Sequence, residues 1–300
     1  MNTRSSREIV VGVDGSPACR GAAVWAAALA SRTAAPLWVV HALPKSLDSM
    51  TAVAVMGQGP AMAQHRTAGE MILEETSAAV RLRFPDLDVR TDLIPGPTVR
   101  TLAASSATAR MIVVGGAEPR GWGMLATGST AIELVRHSTC PVTVWRGQSG
   151  MLPDRRPVVV GVDGSVSSAA AVIDAFEFAR LFNAPVTAVY GWATRHSAGD
   201  VTVPLLVDWD ALRESESGLL TGWLAEAKQR YPGVAVAEVV EPRNPAHLIT
   251  GRATDAQLVV VGSHGRGRLA AAVLGSVSQY LLHHSRCPTM IHRGPPQESG

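Results

Sequence analysis

A tandem repeat constrains the fold of this chain more than any other feature of its sequence. The segment Val10–Ser16 returns unchanged as Val159–Ser165, 149 residues later. Near the end of each half, Cys140-Pro141 returns as Cys287-Pro288, 147 residues later. The period is that of a whole domain rather than of a solenoid unit. The sequence therefore predicts two domains of one fold that differ by a small length change.

The domain boundaries follow from the segment between the halves. Residues 147–157 form a polar, Gly- and Pro-bearing connector, which is typical of the links between domains. We therefore expect a first domain over residues 1–147 and a second over residues 157–294. Each half is long enough to bury a core of its own.

Composition and charge exclude several classes of protein. The formal net charge is +2 over 300 residues, and the arginines are dispersed, so we expect neither nucleic acid nor an anionic membrane as partner. Three cysteines, two of them at equivalent repeat positions, form neither a disulfide framework nor a metal-ligand spacing. The N-terminal residues lack an apolar signal region, and no uninterrupted apolar run is long enough for a membrane span. These observations favour a cytoplasmic location.

Short β-branched runs alternate with helical patterns in both halves. In the first half we predict strands at 8–13, 37–42, 88–94, 111–115 and 141–145, and helices at 18–32, 61–83, 97–108 and 128–138. In the second half we predict strands at 157–162, 186–191, 234–240, 257–262 and 287–292, and helices at 166–182, 208–230, 245–254 and 275–284. This alternation favours an α/β fold with two tandem, doubly wound parallel sheets, in which ligands bind beyond the carboxyl ends of the strands. Residues 43–60 and 192–207 are predicted loops.

Two motifs meet at that end of each predicted sheet. Asp14 and Asp163 follow the first strand of their halves, and a glycine-bearing loop follows the fourth. In the second half this loop begins at Gly262 and ends at Gly275, which would open the next helix and direct its N–H groups and positive dipole end at an anion. An aspartate in Asp-Gly-Ser also serves as a turn or N-cap residue, but the facing glycine loop favours a nucleotide site.

These residues resemble the universal stress protein family, whose motif is Gly-x2-Gly-x9-Gly-Ser/Thr, and the resemblance covers nearly the whole chain. The second half has every motif position, as Gly262, Gly265, Gly275 and Ser276. The resemblance implies Rossmann-like domains of the adenine nucleotide alpha hydrolase type, ATP as ligand, alone or with Mg²⁺, and dimer-like pairing of domains. The residues assigned to nucleotide binding are Asp163, Val189, Val261, Gly262, Gly265, Arg266, Gly275, Ser276, Val277 and Ser278 in the second half, and Asp14, Val40, Gly115, Gly128, Ser129 and Thr130 in the first.

The first half departs from the motif at its second glycine, where Glu118 stands in place of Gly265. Two like charges about 4 Å apart repel by roughly 1 kcal/mol in water and about 4 kcal/mol at an effective dielectric constant near 20. We therefore expect Glu118 to weaken binding of a triphosphate. Ala131, at the position of Ser278, removes a further hydroxyl donor.

The sequence gives no support for catalysis. Phosphoryl transfer normally uses a phosphate-binding cation, a carboxylate for magnesium and a group that positions the nucleophile, and neither a P-loop nor a kinase motif is present. We predict no catalytic residue and no metal ligand. The leading hypothesis is an ATP-binding regulator in stress or growth arrest that acts on an unidentified protein partner. A slow ATPase or self-phosphorylating protein, and a nucleotide-independent interaction scaffold, remain as alternatives.

Assembly is expected at the last strand of each half, at 141–145 and 288–292. These strands are short, and the resemblance places them at a sheet edge, where unpaired backbone groups accept another strand. We predict that the two halves pair there as a pseudo-dimer within the chain. A homodimer of the whole chain is a further hypothesis.

Overall fold

The computed structural model describes residues 7–43, 52–116, 124–148, 150–192, 209–265 and 274–293. The chain divides into two compact units, Met1–Pro153 and Asp154–Gly300. This division falls inside the connector expected from the sequence.

The first unit is a doubly wound α/β domain. Its strands are β1 (Ile9–Gly12), β2 (Leu37–Leu43), β3 (Val89–Pro95), β4 (Met111–Gly115) and β5 (Val142–Trp145), and its helices are α1 (Pro17–Thr33), α2 (Ala52–Arg83), α3 (Thr98–Ser105) and α4 (Met124–His137). The strand order is β3-β2-β1-β4-β5, and every pair is parallel. The order reverses between β1 and β4, which places a ligand crevice beyond the carboxyl ends of these two strands.

The second unit repeats this topology. Its strands are β6 (Val158–Gly161), β7 (Val186–Gly191), β8 (Val236–Glu241), β9 (Leu258–Gly262) and β10 (Thr289–His292), and its helices are α5 (Val166–Phe182), α6 (Trp209–Arg230), α7 (Pro245–Arg252) and α8 (Ser276–His284), with a 3₁₀ turn at Ala253–Asp255. The strand order is β8-β7-β6-β9-β10, again with parallel pairs. The predicted α/β fold with two tandem parallel sheets is confirmed.

Local chemistry explains why α1 and α5 start and stop at equivalent places. Ser16 caps α1 by accepting the Cys19 N–H at 3.2 Å, and Ser165 caps α5 by accepting the Ser168 N–H at 3.2 Å. Both helices end on a residue in the left-handed conformation, Ala34 with φ 50° and Asn183 with φ 52°. The Asp-Gly-Ser repeat therefore sets the first strand-to-helix turn of each unit.

Two predicted helices begin several residues away from their observed starts. Helix α2 begins at Ala52 rather than at residue 61, so part of the predicted loop 43–60 is helical. The prediction started late because Gly57, Gly59 and Pro60 are poor helix formers, yet the helix continues through them. Helix α4 begins at Met124 rather than at residue 128. Most of the other predicted loop, 192–207, lies outside the described residues.

The core of each unit is the sheet and the helices packed on it. The central strands β1, β4, β6 and β9 are mostly buried valine and isoleucine, as expected for parallel strands covered on both faces. Within the described residues, no helix has the length and apolar character needed to cross a bilayer.

Candidate nucleotide sites

Asp163 is held in a defined orientation by the start of α5. Its Oδ1 accepts hydrogen bonds from the Ser165 N–H at 3.0 Å and the Ser165 hydroxyl at 2.7 Å. Its own N–H donates to Ser168 Oγ at 3.1 Å. Asp163 is thus a turn residue and a site residue at once, because Oδ1 closes the turn while the rest of the carboxylate lines a cavity.

Asp14 occupies the same place in the first unit. The Ser16 N–H donates to its Oδ1 at 2.9 Å. Partial burial raises the pKa of Asp14, but hydrogen bonds from Ser16 and Cys19 outweigh burial, so the net pKa lies below its ordinary value. The same surroundings act oppositely on the neighbouring thiol, because burial raises the pKa of Cys19 to about 11. At neutral pH the crevice therefore holds a carboxylate beside a protonated thiol.

The first motif glycine serves close packing in both units. A Cβ on Gly262 would lie 2.5 Å from Ser167 Oγ and 2.8 Å from the Ser168 backbone nitrogen. A Cβ on Gly115 would lie 2.7 Å from the Cys19 backbone nitrogen. The end of β4 or β9 thus presses directly on the first turn of α1 or α5, and no larger side chain fits there.

The second motif glycine has a different role in the second unit. A Cβ on Gly265 would meet Asp163 Oδ2 at 2.7 Å, and no other atom lies as near. The glycine loop and the Asp163 carboxylate therefore face each other across the mouth of the crevice. Glu118, which stands at this position in the first half, lies outside the described residues, as do Arg266 and Arg268.

Hydrogen bonds fix the glycine loop on both sides. The Ser263 N–H donates to the His292 carbonyl at 2.8 Å, and the Gly275 N–H donates to the Ser263 carbonyl at 2.7 Å. The Ser167 hydroxyl donates to the His264 carbonyl at 2.6 Å. Sequence reasoning missed Ser167, and the first half gives no signal for it because Ala18 stands at the equivalent position.

Helix α8 starts at this loop without a side-chain cap. Its N-cap is Gly275, whereas α1 and α5 are each capped by a serine hydroxyl. The first intrahelical bond runs from the Gln279 N–H to the Gly275 carbonyl at 2.9 Å. Since the N–H groups of the first turn have no partner inside a helix, those of Ser276, Val277 and Ser278 remain as donors, at the positive end of the helix dipole.

The predicted residues of the second half converge on one cavity of about 130 Å³. It is lined by the predicted residues Asp163, Val189, Val261, Gly262, Gly265, Gly275, Ser276, Val277 and Ser278. The lining also includes Pro245 and Ile249 of α7, which carry no sequence signal of their own. The Ser278 hydroxyl donates to the Gly262 carbonyl at 2.6 Å, so it braces the loop.

The first unit has an equivalent but larger cavity of about 320 Å³. Of the predicted residues, Asp14, Val40, Gly115 and Thr130 line it. Gly128 and Ser129 lie inside α4 rather than at its start. Sequence reasoning missed Cys19, His41, Thr98 and Leu102, which also line the cavity because α1, β2 and α3 bring them to the crevice.

The fold and these two crevices define a class of protein: tandem α/β domains with a glycine loop at the switch point of each sheet. Comparisons with known proteins agree. The model of the universal stress protein family matches residues 5–146 and again residues 154–293. The chain belongs to the universal stress protein family, in its tandem form.

Known relatives match almost end to end. A universal stress protein of Mycobacterium tuberculosis strain H37Rv is 34% identical over 294 residues, covering 96% of this chain and 97% of the relative. One from Mycobacterium bovis is 35% identical over 307 residues, covering 97% and 98%. Among solved structures, a universal stress protein from Archaeoglobus fulgidus superposes with a TM-score of 0.71 at 14% identity, covering 99% of this chain and 100% of that one. This last likeness concerns the fold.

Proposed function

We propose that the second unit binds ATP and that nucleotide occupancy regulates contacts with a protein partner in a stress or growth-arrest response. The observation that carries the proposal is the uncapped start of α8 beside the Asp163 carboxylate. The three backbone donors suit phosphates, and the carboxylate suits ribose hydroxyls.

The residues present fit a nucleotide in a second respect. Gly265 leaves open a space that a Cβ could fill only by contacting Asp163. Glycine at this position lets the loop backbone come close to a ligand hydroxyl bound by Asp163. Within the described residues, no group of three His, Cys, Asp or Glu side chains is placed to hold a metal ion. We propose that any Mg²⁺ arrives with the phosphates of the nucleotide.

A backbone substitution tests the phosphate donors directly. Ser276 is the first residue of α8, and Gly275 before it is extended, with φ −61° and ψ 150°. Proline is well tolerated at this helical position and after an extended residue, so Ser276→Pro removes one N–H and leaves the helix intact. Ser276→Ala is the matched control, because it removes the hydroxyl and keeps the N–H.

The measurement is isothermal titration of the full chain with ATP and with adenosine, preceded by identification of any nucleotide released on denaturing the purified protein. We expect Ser276→Pro to weaken ATP binding by about tenfold, the loss of one charge-assisted hydrogen bond, and Ser276→Ala to weaken it less. Adenosine binding should be unchanged in both. Equal ATP affinity in wild type and Ser276→Pro would refute the assigned role of α8.

The proposal extends to assembly and location. We propose that β5 and β10, which end the strand order of their units, provide the edges for pairing of the two halves and that the protein acts in the cytoplasm. A homodimer is tested by light scattering, where a mass near 31.5 kDa would exclude it.

A further inference from the structure

We propose that the cavity of the first unit binds an uncharged ribonucleoside in preference to a nucleoside triphosphate. The inference deepens the proposed function, on which it rests for the orientation of a nucleoside in the crevice. It assigns different ligands to two sites that descend from one repeat.

The first cavity has the size and walls for a nucleoside. Its volume is about 320 Å³, and small-molecule sites in proteins begin near 300 Å³. The walls are mostly apolar, as a heteroaromatic base requires, with Leu102 and Val114 on one side and Val40 on another. Of these, Leu102 and Val40 are almost completely buried.

The polar groups of this cavity suit hydroxyls and base edges. The Asp14 carboxylate, which stays ionised, is an acceptor for ribose hydroxyls. The hydroxyls of Thr98 and Thr130 are neutral donors and acceptors on the lining. His41 is oriented by its Nδ1–H, which donates to the Val13 carbonyl at 2.8 Å. The equivalents of Thr98 and Thr130 in the second unit are Pro245 and Val277, which have no side-chain hydrogen-bonding group.

The phosphate end of the site is what the first unit lacks. Helix α4 begins at Met124, whereas α8 begins at Ser276, the equivalent of Ser129. In an α-helix each N–H bonds the carbonyl four residues earlier, so the N–H groups of Gly128, Ser129 and Thr130 lie where α4 uses them itself. Five extra residues move the open end of the helix by about 7.5 Å. The donors that would hold phosphates in the second unit are therefore absent from the same positions in the first.

Among the residues that the structure describes, the first cavity therefore has a carboxylate but no backbone donors at the positions that open α8 in the second unit. A triphosphate would bring several negative charges toward Asp14, whereas adenosine brings none. The chemistry of the cavity thus selects a ligand with a base and free hydroxyls.

The test isolates each site in the full chain. Gly265→Glu disables the second site, and Asp163→Asn, which removes the carboxylate proposed to bind the ribose, serves as a second such variant should Gly265→Glu fold poorly. Both proteins are titrated with adenosine, 2′-deoxyadenosine and ATP by calorimetry. Asp14→Asn is then added to each, and Asp14→Asn alone reports ATP binding by the second site.

We expect one adenosine per chain in the Gly265→Glu protein, bound at least about tenfold more tightly than ATP and weakened about tenfold by Asp14→Asn, the cost of a hydrogen bond to a charged group. ATP binding as tight as adenosine binding, adenosine binding that survives Asp14→Asn, or no adenosine binding would each overturn the inference. Failure of the proposed function has a separate signature, since the Asp14→Asn protein would then not bind ATP.

Discussion

Two equivalent buried positions carry opposite chemistry in the two units. In the first unit they hold Trp25 on α1 and Trp145 on β5, both at most 2% exposed. In the second they hold Asp174 on α5 and His292 on β10, and the His292 Nδ1–H donates to Asp174 Oδ2. The backbone around them is unchanged, because the carbonyls of Trp145 and His292 each accept an N–H at 2.8 Å, from Gly116 and Ser263 respectively.

This difference between the two units shows which positions the fold constrains and which can change when neighbouring side chains change with them. The Trp145 indole is accommodated by Gly21, where a Cβ would lie 2.2 Å from the ring. The second unit has Ala170 there, beside the smaller imidazole. Gly115 and Gly262, in contrast, keep the same contact with α1 and α5. Close backbone contacts are the same in both repeats. The buried side chains, in contrast, change together, because the larger Trp145 faces Gly21 whereas the smaller His292 lies at the position that faces Ala170.

The largest effect is expected from breaking the buried polar pair. Asp174→Ala should destabilise the second unit by about 3–5 kcal/mol, since removing one partner leaves a buried polar group without its hydrogen bond. Hydrogen exchange followed by mass spectrometry measures this as faster exchange in α5 and β10, with little change in α1 and β5.

The double variant Asp174→Leu with His292→Leu is the matched control. The first unit shows that an apolar pair is compatible with this fold, and replacing a buried pair by apolar groups is often neutral. We expect the double variant to regain most of the stability. If Asp174→Ala lowered the free energy of unfolding of the second unit by less than about 1 kcal/mol, the pair would contribute little to stability.

The next largest effect concerns the glycine loop of the second unit. Gly265→Glu places a Cβ 2.7 Å from Asp163 Oδ2 and adds a second negative charge beside it. ATP binding should weaken by at least about a hundredfold, which corresponds to about 2.7 kcal/mol. Gly265→Ala separates the two causes because it adds the Cβ without the charge. Equal ATP affinities of the wild type and Gly265→Glu, measured by titration, would contradict this prediction.

The reciprocal variant tests how the first site differs from the second. The sequence suggested that Glu118 impairs triphosphate binding and that Ala131 removes a further donor, and the early start of α4 provides another cause. Glu118→Gly should therefore raise the ATP affinity of the first site by only a few-fold, because it relieves a repulsion of roughly 1 kcal/mol in water and adds no backbone donors. Full ATP affinity in Glu118→Gly, measured with Gly265→Glu in the same chain, would show that the carboxylate is the whole difference.

A smaller effect is expected at the residue that accommodates Trp145. Ala is the better helix former, yet Gly21→Ala should destabilise the first unit by about 1–3 kcal/mol, because the added methyl overpacks the indole. Ala170→Gly in the second unit should cost about 1 kcal/mol through helix propensity alone. Denaturant titration of both variants measures their free energies of unfolding. A Gly21→Ala protein more stable than wild type would show that Trp145 can move to accommodate the added methyl group.

The sequence predicted the order of elements well because the repeat supplies two independent readings of one fold. Helix α5 has the predicted bounds, and the aspartates and most motif glycines lie on the predicted crevices. What the sequence did not predict depends on tertiary contacts: the cavity walls from α3 and α7, the brace from Ser167, and the start of α4. The repeat itself led to the wrong start for α4. Gly128-Ser129 matches Gly275-Ser276 in residue type, but Gly128-Ser129 lies inside its helix, whereas Gly275-Ser276 lies at the start of α8.

The smallest expected effect is on the acid stability of the first unit. Because the pKa of Asp14 is lowered on folding from an ordinary value of 3.8, its ionised form stabilises the fold above that pH, and the contribution disappears as pH falls through the folded pKa. The side chain is exposed to solvent, which screens the interaction and keeps the effect below that of the other variants. Asp14→Asn should therefore flatten the dependence of first-unit stability on pH between about 5 and 2, with little change in the second unit. Denaturation midpoints of the two proteins across this range measure the difference. A steeper acid dependence in Asp14→Asn would reverse the sign of the argument, because it would mean that Asp14 is stabilised in its protonated form.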